Sequence, residues 1–128
     1  MGNGTSIGRV RGLGSAHHGP HHWLVQRFTA IGNLVLMSWL LVSFIVIGDF
    51  GHASVVKWLT QPLTATAMIL LVVSLFWHAR LGLQVLTEDY IHDAGSKFAA
   101  ISVLNLATIG GGAFAIFSVA ALAFGGQA

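Results

Sequence analysis

The side chains able to do chemistry in this 128-residue chain gather in one short stretch: His78, Arg80, Glu88, Asp89 and Tyr90. An imidazole can ligate a metal or a haem iron, or it can hydrogen-bond to a neighbouring helix. A tyrosine hydroxyl can donate to an oxygen that is gaining negative charge. An adjacent carboxylate can orient it or relay protons. Asp89 and Tyr90 are therefore candidates for a quinone site, because two-electron reduction of a quinone takes up protons at its oxygens. The plainer assignments are an interfacial aromatic for Tyr90 and solvated loop charge for Glu88 and Asp89. The chain has no cysteine, which excludes disulfides, thiolate metal sites and a thiol nucleophile.

Helical phase relates these groups to one another. Stepping forward from His78 by four, three and four residues reaches Gly82, Val85 and Asp89; stepping back reaches Ser74 and then Ala67. At about 100° per residue these positions share one stripe. The face around His78 is small or polar, and Gly82 leaves room one turn away. That suits a planar haem with an axial imidazole, and it suits close helix packing around a hydrogen-bonded histidine equally well. Phase alone leaves both open. From His78 to Asp89 a helix rises about 16 Å, which separates a cofactor at mid-depth from a quinone head near the surface. Arg80 is long enough to snorkel to the headgroups or to pair with a partner. His78 is not, so it must face the bundle interior, a partner chain or a cofactor.

Scarcity of charge dictates the elements that position these groups. Charged residues make up 8% of the chain and hydrophobic ones 55%, against about 25% charged in an ordinary soluble domain. This combination excludes intrinsic disorder. A net charge of +2 with no basic run leaves no footprint for nucleic acid. The uncharged stretches 28–48, 58–79 and 98–128 are each long enough to cross a hydrocarbon core of ~30 Å, which takes roughly 20 residues. The expectation is an all-α integral membrane protein with three transmembrane helices near 26–47, 59–86 and 98–124, preceded by a segment 1–25. Buried helices of a soluble bundle would carry a polar face, and these segments have none. Gly110, Gly111 and Gly112 fall in mid-span and favour close helix packing over a hinge. The spans contain only one histidine, so a haem with two imidazole ligands would take the second from another membrane polypeptide.

The first residues lack the apolar core of a cleavable signal, and their Gly and His content gives no amphipathic period for a mitochondrial transit peptide. Arg9, Arg11 and Arg27 favour an inner N-terminus. Three crossings then put the Asp49–Lys57 loop outside and the Glu88–Lys97 loop inside. Trp23 reads as an interfacial anchor.

The run His78-Ala79-Arg80-Leu81-Gly82-Leu83-Gln84-Val85-Leu86-Thr87-Glu88-Asp89-Tyr90, followed by Ile91-His92, resembles the signature of the succinate dehydrogenase hydrophobic membrane-anchor subunits of respiratory complex II. That pattern is His, three residues, Gly, six residues, then Asp-Tyr. Upstream, His21, Arg27 and Thr29-Ala30 are similar to the family's N-terminal pattern, and the three-helix layout matches over the whole chain. The resemblance implies a non-catalytic anchor, on the bacterial inner membrane in preference to the mitochondrial one, paired with a second membrane-anchor subunit. Together the two would hold a flavoprotein and an iron–sulfur subunit on the inner face. Electrons would pass from succinate through FAD and iron–sulfur clusters to ubiquinone or menaquinone. It further implies His78 as one axial ligand of haem b, with the other from the second membrane-anchor subunit. Tyr90 would hydrogen-bond the quinone with Asp89 beside it, and His21 and Arg27 would lie near the haem propionates or the inner surface. Glu88 adds an acid beside the usual Asp-Tyr, and Arg80 sits where some relatives carry other residues; neither disturbs the spacing.

His17-His18-Gly19-Pro20-His21-His22 could bind zinc, copper or nickel, although a polar tail touching peripheral subunits explains it as well. The competing function is a small membrane protein for metal handling or transport, with that tail as collector and His78 and Arg80 on a polar path. Transport would not require the spacing that ends in Asp-Tyr.

Overall fold

The computed structural model describes residues 19–125, which form four α-helices: α1 (Gly19–Ile47), α2 (His52–Leu59), α3 (Pro62–Tyr90) and α4 (Ala94–Gly125). No strand occurs among the described residues. Three helices, α1, α3 and α4, are long and apolar enough to cross a membrane. Helix α3 is central, packing against α1 on one side and α4 on the other.

Each long helix overruns the limits expected from its charge-free stretch. Helix α1 begins at Gly19 rather than near 26, with Pro20 in its first turn, where the lost N–H donor costs nothing. Helix α3 runs on through Thr87–Tyr90, and α4 starts at Ala94. Hydropathy marks where lipid contact ends. The backbone keeps its own hydrogen bonds into the interface because nothing there forces it to stop.

The connection expected as a loop around Asp49–Lys57 contains the short helix α2. Gly48 ends α1 at φ +63°, the left-handed conformation that a glycine adopts without strain. Trp58 of α2 then stacks on Trp39 of α1, ring centres 5.8 Å apart, and contacts Phe44, which meets Phe50 edge-on. This aromatic cluster closes one end of the bundle; His21, Tyr90 and Asp93 mark the other.

Two carboxylates lie just before helices, and Asp93 caps the one that follows it. Asp49 accepts from the Gly51 N–H and from the Ser54 hydroxyl, and the hydroxyl is the larger reason that its carboxyl lies below the usual carboxylate range. Asp93 accepts the Ser96 N–H at 2.8 Å, and that bond chiefly lowers its pKa. A lowered folded-state pKa stabilises the fold above the unfolded value near 3.8, and the contribution disappears as pH falls through the folded value. Asp93→Ala should therefore unfold at lower denaturant than wild type at neutral pH. The gap should close once the pH is brought below the Asp93 folded pKa. A gap unchanged by pH would contradict a charge-dependent cap.

The surface of the three long helices is apolar nearly all round. Phe28, Ile45 and Phe124 are each at least 80% exposed, as side chains facing lipid would be. The buried residues are mostly small: Thr64 and Ala65 on α3, Gly112 and Ala123 on α4. The triple glycine is continuous helix, and it does pack. A Cβ at Gly111 would lie 2.9 Å from Phe76 Cε1, and one at Gly112 3.5 Å from Phe76 Cγ, while Gly110 meets nothing within 4 Å. The ring of Phe76 thus lies where side chains at 111 and 112 would go. Gly111→Leu should destabilise the chain by about 1–3 kcal/mol, the usual cost of overpacking, as read from thermal unfolding in detergent. Gly110→Leu should not.

Candidate functional site

Helix α1 carries Gln26, Thr29 and Asn33 at spacings of three and four residues, which puts them on one stripe. Helix α3 presents Ser74, His78 and Gly82 at spacings of four. The antiparallel pairing brings the two stripes together. His78 Nδ1 lies 3.1 Å from Thr29 Oγ1. One turn away, the Ser74 hydroxyl donates to the Thr29 carbonyl at 3.2 Å. Gly32 permits this approach, since a Cβ there would sit 3.2 Å from Ser74 Oγ. Thr29, Ser74 and His78 are all half-buried.

The expected stripe His78–Gly82–Asp89 is therefore divided between two environments. Its upper part, from Ser74 to Gly82, meets α1. The room at Gly82 is occupied by this chain's own Gln26, whose amide nitrogen lies 3.6 Å from where a Cβ would be. Val85 and Asp89 are exposed. Two amide oxygens of the α1 stripe, Gln26 Oε1 and Asn33 Oδ1, are buried without a hydrogen-bond partner. In an apolar surrounding each such atom is costly. A groove of about 530 Å³ opens between α1 and α3 one turn from His78; Thr29 and Ser74 are its polar lining among residues such as Phe28, Leu70 and Trp77.

Arg80 points elsewhere. Two residues from His78 is about 200° round the helix, so Arg80 faces α4, where its Nε donates to Asn105 Oδ1 at 2.7 Å. Within the chain, Arg80 is thus clasped to α4 through its Nε. An amide on the adjacent helix offers an acceptor at the same depth, which spares a guanidinium the cost of standing unpaired in an apolar layer.

At the far end of α3, Asp89 and Tyr90 are exposed, Tyr90 by 77%, and neither side chain hydrogen-bonds another described residue. Glu88 is engaged: its carboxylate accepts from Gln84 Nε2 and its carbonyl from Lys97 Nζ. This leaves Asp89 and Tyr90 as the uncommitted polar pair. His21 is exposed in the first turn of α1. The guanidinium of Arg27 stacks over Trp23 at 5.3 Å, and its position is about 200° from Thr29. The structure therefore groups His78 with Thr29, Ser74 and Gln26, and leaves Arg27 on the opposite face of α1. His17 and His18 lie outside the described residues. Among the described residues no three His, Asp or Glu side chains converge as a metal site.

Asn33, Asn105 and the role of Gln26 do not emerge from the sequence. Counting charges passes over neutral amides, yet an amide in a span also has to find partners. The spacing of Gln26, Thr29 and Asn33 was the available signal.

The profile of the succinate dehydrogenase/fumarate reductase transmembrane subunits matches residues 1–112. The chain belongs to this family. As one of its transmembrane subunits it resides in a membrane and has partners in a complex. It is 39% identical over 88 residues to the succinate dehydrogenase hydrophobic membrane anchor subunit of Rickettsia bellii, covering 68% of this chain and 70% of that one. Its identity to the corresponding subunit of Rickettsia conorii is 35%, with the same coverage. The succinate dehydrogenase membrane anchor subunit of Reclinomonas americana is 30% identical over 71% of this chain and 78% of its own. No solved structure matches.

Proposed function

We propose that this chain is the hydrophobic anchor of a succinate:quinone oxidoreductase, providing one axial ligand for a haem b shared with a second membrane-anchor subunit and part of the quinone-reduction site. The observation that carries this reading is the division of polar groups along α3. A single imidazole is held at membrane depth by α1, and an uncommitted Asp-Tyr pair is exposed at the helix end about 16 Å further on. The relatives named as succinate dehydrogenase anchors support the assignment of the enzyme.

The donor set fits a haem. His78 is half-buried, one ring nitrogen is occupied by Thr29, and the other has no hydrogen-bond partner among the described residues. The chain supplies one ligand and requires the second from the other membrane-anchor polypeptide. Bound there, the haem would supply a one-electron carrier within the bilayer. The chain's own residues hold and orient. His78 presents its imidazole, Ser74 and Gly32 keep α1 against α3, and Tyr90 can donate to a quinone oxygen with Asp89 beside it. The stacking of Arg27 on Trp23 favours a surface role over a propionate contact; His21, exposed at the same end, is free for either. The flavoprotein and iron–sulfur subunits, with FAD and the clusters, would dock at this end. Arg27 and the arginines of the preceding segment put that end on the inner side, and the Rickettsia relatives favour a bacterial inner membrane.

The test is purification of the complex from membranes through a tag on this chain. A co-purifying flavoprotein together with a b-type band in the reduced-minus-oxidised spectrum is expected. A bound transition metal in stoichiometric amount, with neither flavoprotein nor haem, would establish the metal-handling alternative instead.

A further inference from the structure

We propose that Thr29 sets the tautomer of His78: its hydroxyl oxygen accepts the Nδ1–H, so that the lone pair of Nε2 is the one presented to iron. The proposal rests on the reading of His78 as an axial ligand and adds a positioning residue to it.

The Thr29 hydroxyl has one proton and lies near the Val25 carbonyl at 2.9 Å, the Gln26 carbonyl at 3.1 Å and His78 Nδ1 at 3.1 Å. Carbonyls can only accept, whereas an imidazole nitrogen can do either. Where the hydroxyl proton goes therefore decides what the ring must do. Six other hydroxyls of the long helices indicate the answer, while Ser74 donates across to α1. Ser38, Thr66, Thr87, Ser102, Thr108 and Ser118 all donate to the carbonyl four residues back, at 2.7–2.9 Å. This is the habitual bond of a helical serine or threonine with no water at hand. Thr29 has the same geometry toward Val25. Its proton is thus committed, its lone pair faces the ring, and Nδ1 has to be the donor. A neutral imidazole protonated at Nδ1 has its lone pair on Nε2. The same hydrogen bond makes the ring a better electron donor to a metal. Ser74 supports the arrangement from behind, since its bond to the Thr29 carbonyl fixes the backbone that carries the hydroxyl.

Redox titration of the b-type band in the purified complex tests this. Thr29→Val keeps the shape and removes the acceptor. It should raise the midpoint potential, because a poorer donor stabilises ferric iron less, and loosen haem retention by roughly 10–100-fold. Thr29→Ser should restore both. Thr108→Val, which removes a hydroxyl bonded to the carbonyl four residues back on α4, away from the ring, should leave the potential in place. A second measurement is independent of any assembly defect. The ring ¹⁵N resonances of His78 in the haem-free full-length chain, assigned by their loss in His78→Gln, should report the Nδ1–H form. A haem that binds with its potential unmoved by Thr29→Val, equal shifts in Thr29→Val and Thr108→Val, or an Nε2–H ring would each overturn the role of Thr29. A wild-type complex without haem would overturn the reading of His78 itself.

Discussion

His78→Ala should abolish the b-type band of the purified complex entirely, while flavin content and succinate oxidation with an artificial dye stay close to wild type. The effect is all-or-none because the charge-free stretches of the three long helices contain no other imidazole, and neither Gln26 nor Thr29, the neighbours on α1, offers a comparable iron ligand. The structural cost is small by comparison. The substitution removes one hydrogen bond of about 1 kcal/mol from an interface that keeps the Ser74–Thr29 bond and the contact at Gly32. The α3–α4 side, with Phe76 against Gly111 and Gly112 and Arg80 on Asn105, is untouched. A complex that assembles without haem is therefore the expected product. Added imidazole should restore part of the band by entering the space that the deleted side chain leaves. Retention of the full band in His78→Ala would remove His78 from the ligand set and leave it as a hydrogen-bonded packing residue.

Much of this architecture is legible in the sequence because lipid imposes so few solutions. A stretch without charge that is long enough to cross has to be helical, since every backbone group must be satisfied internally. That is why charge positions alone locate α1, α3 and α4. Helix ends are a different matter. The overruns at Gly19 and Tyr90 come from backbone bonding that continues past the apolar limit, and α2 arises from an eight-residue stretch in which Trp58 and Leu59 find partners. Pro62 and Asp93 were usable start signals that hydropathy ignores. At the site, phase sets His78 and Ser74 on one face, and both meet α1. It could not say which helix covers each face. Arg80 shows the consequence: seen alone it has to reach water or a partner, but Asn105 makes a third choice available. Gly82 shows the same limit, because space beside a helix belongs to whatever packs there, and here that is Gln26. The pairing of α1 with α3 is a tertiary fact, and Thr29 acquires its role only through it.

Tyr90→Phe should lower quinone reduction by roughly ten- to a hundredfold and leave dye-linked succinate oxidation largely intact. A hydrogen bond to a charged oxygen is worth about 1.5–3 kcal/mol, and each 1.36 kcal/mol on a barrier is about a factor of ten. The proposed role needs a reachable phenol, and Tyr90 is 77% exposed with its hydroxyl uncommitted within the described chain. Phenylalanine keeps the ring and with it any anchoring at the membrane surface, so the substitution separates proton donation from interfacial packing. Asp89→Asn provides the companion measurement. If the carboxylate orients the hydroxyl or passes it protons, this variant should also slow quinone reduction, and adding it to Tyr90→Phe should cost less than the two separate losses combined, because both act on one hydrogen-bonded unit. Glu88→Gln should have little effect, since the Glu88 side chain is engaged with Gln84 and its carbonyl with Lys97. Equal loss of quinone and dye activities in Tyr90→Phe would mean that the residue serves assembly. Normal quinone reduction would return Tyr90 to the aromatic belt and shift the search for the donor to the partner subunits.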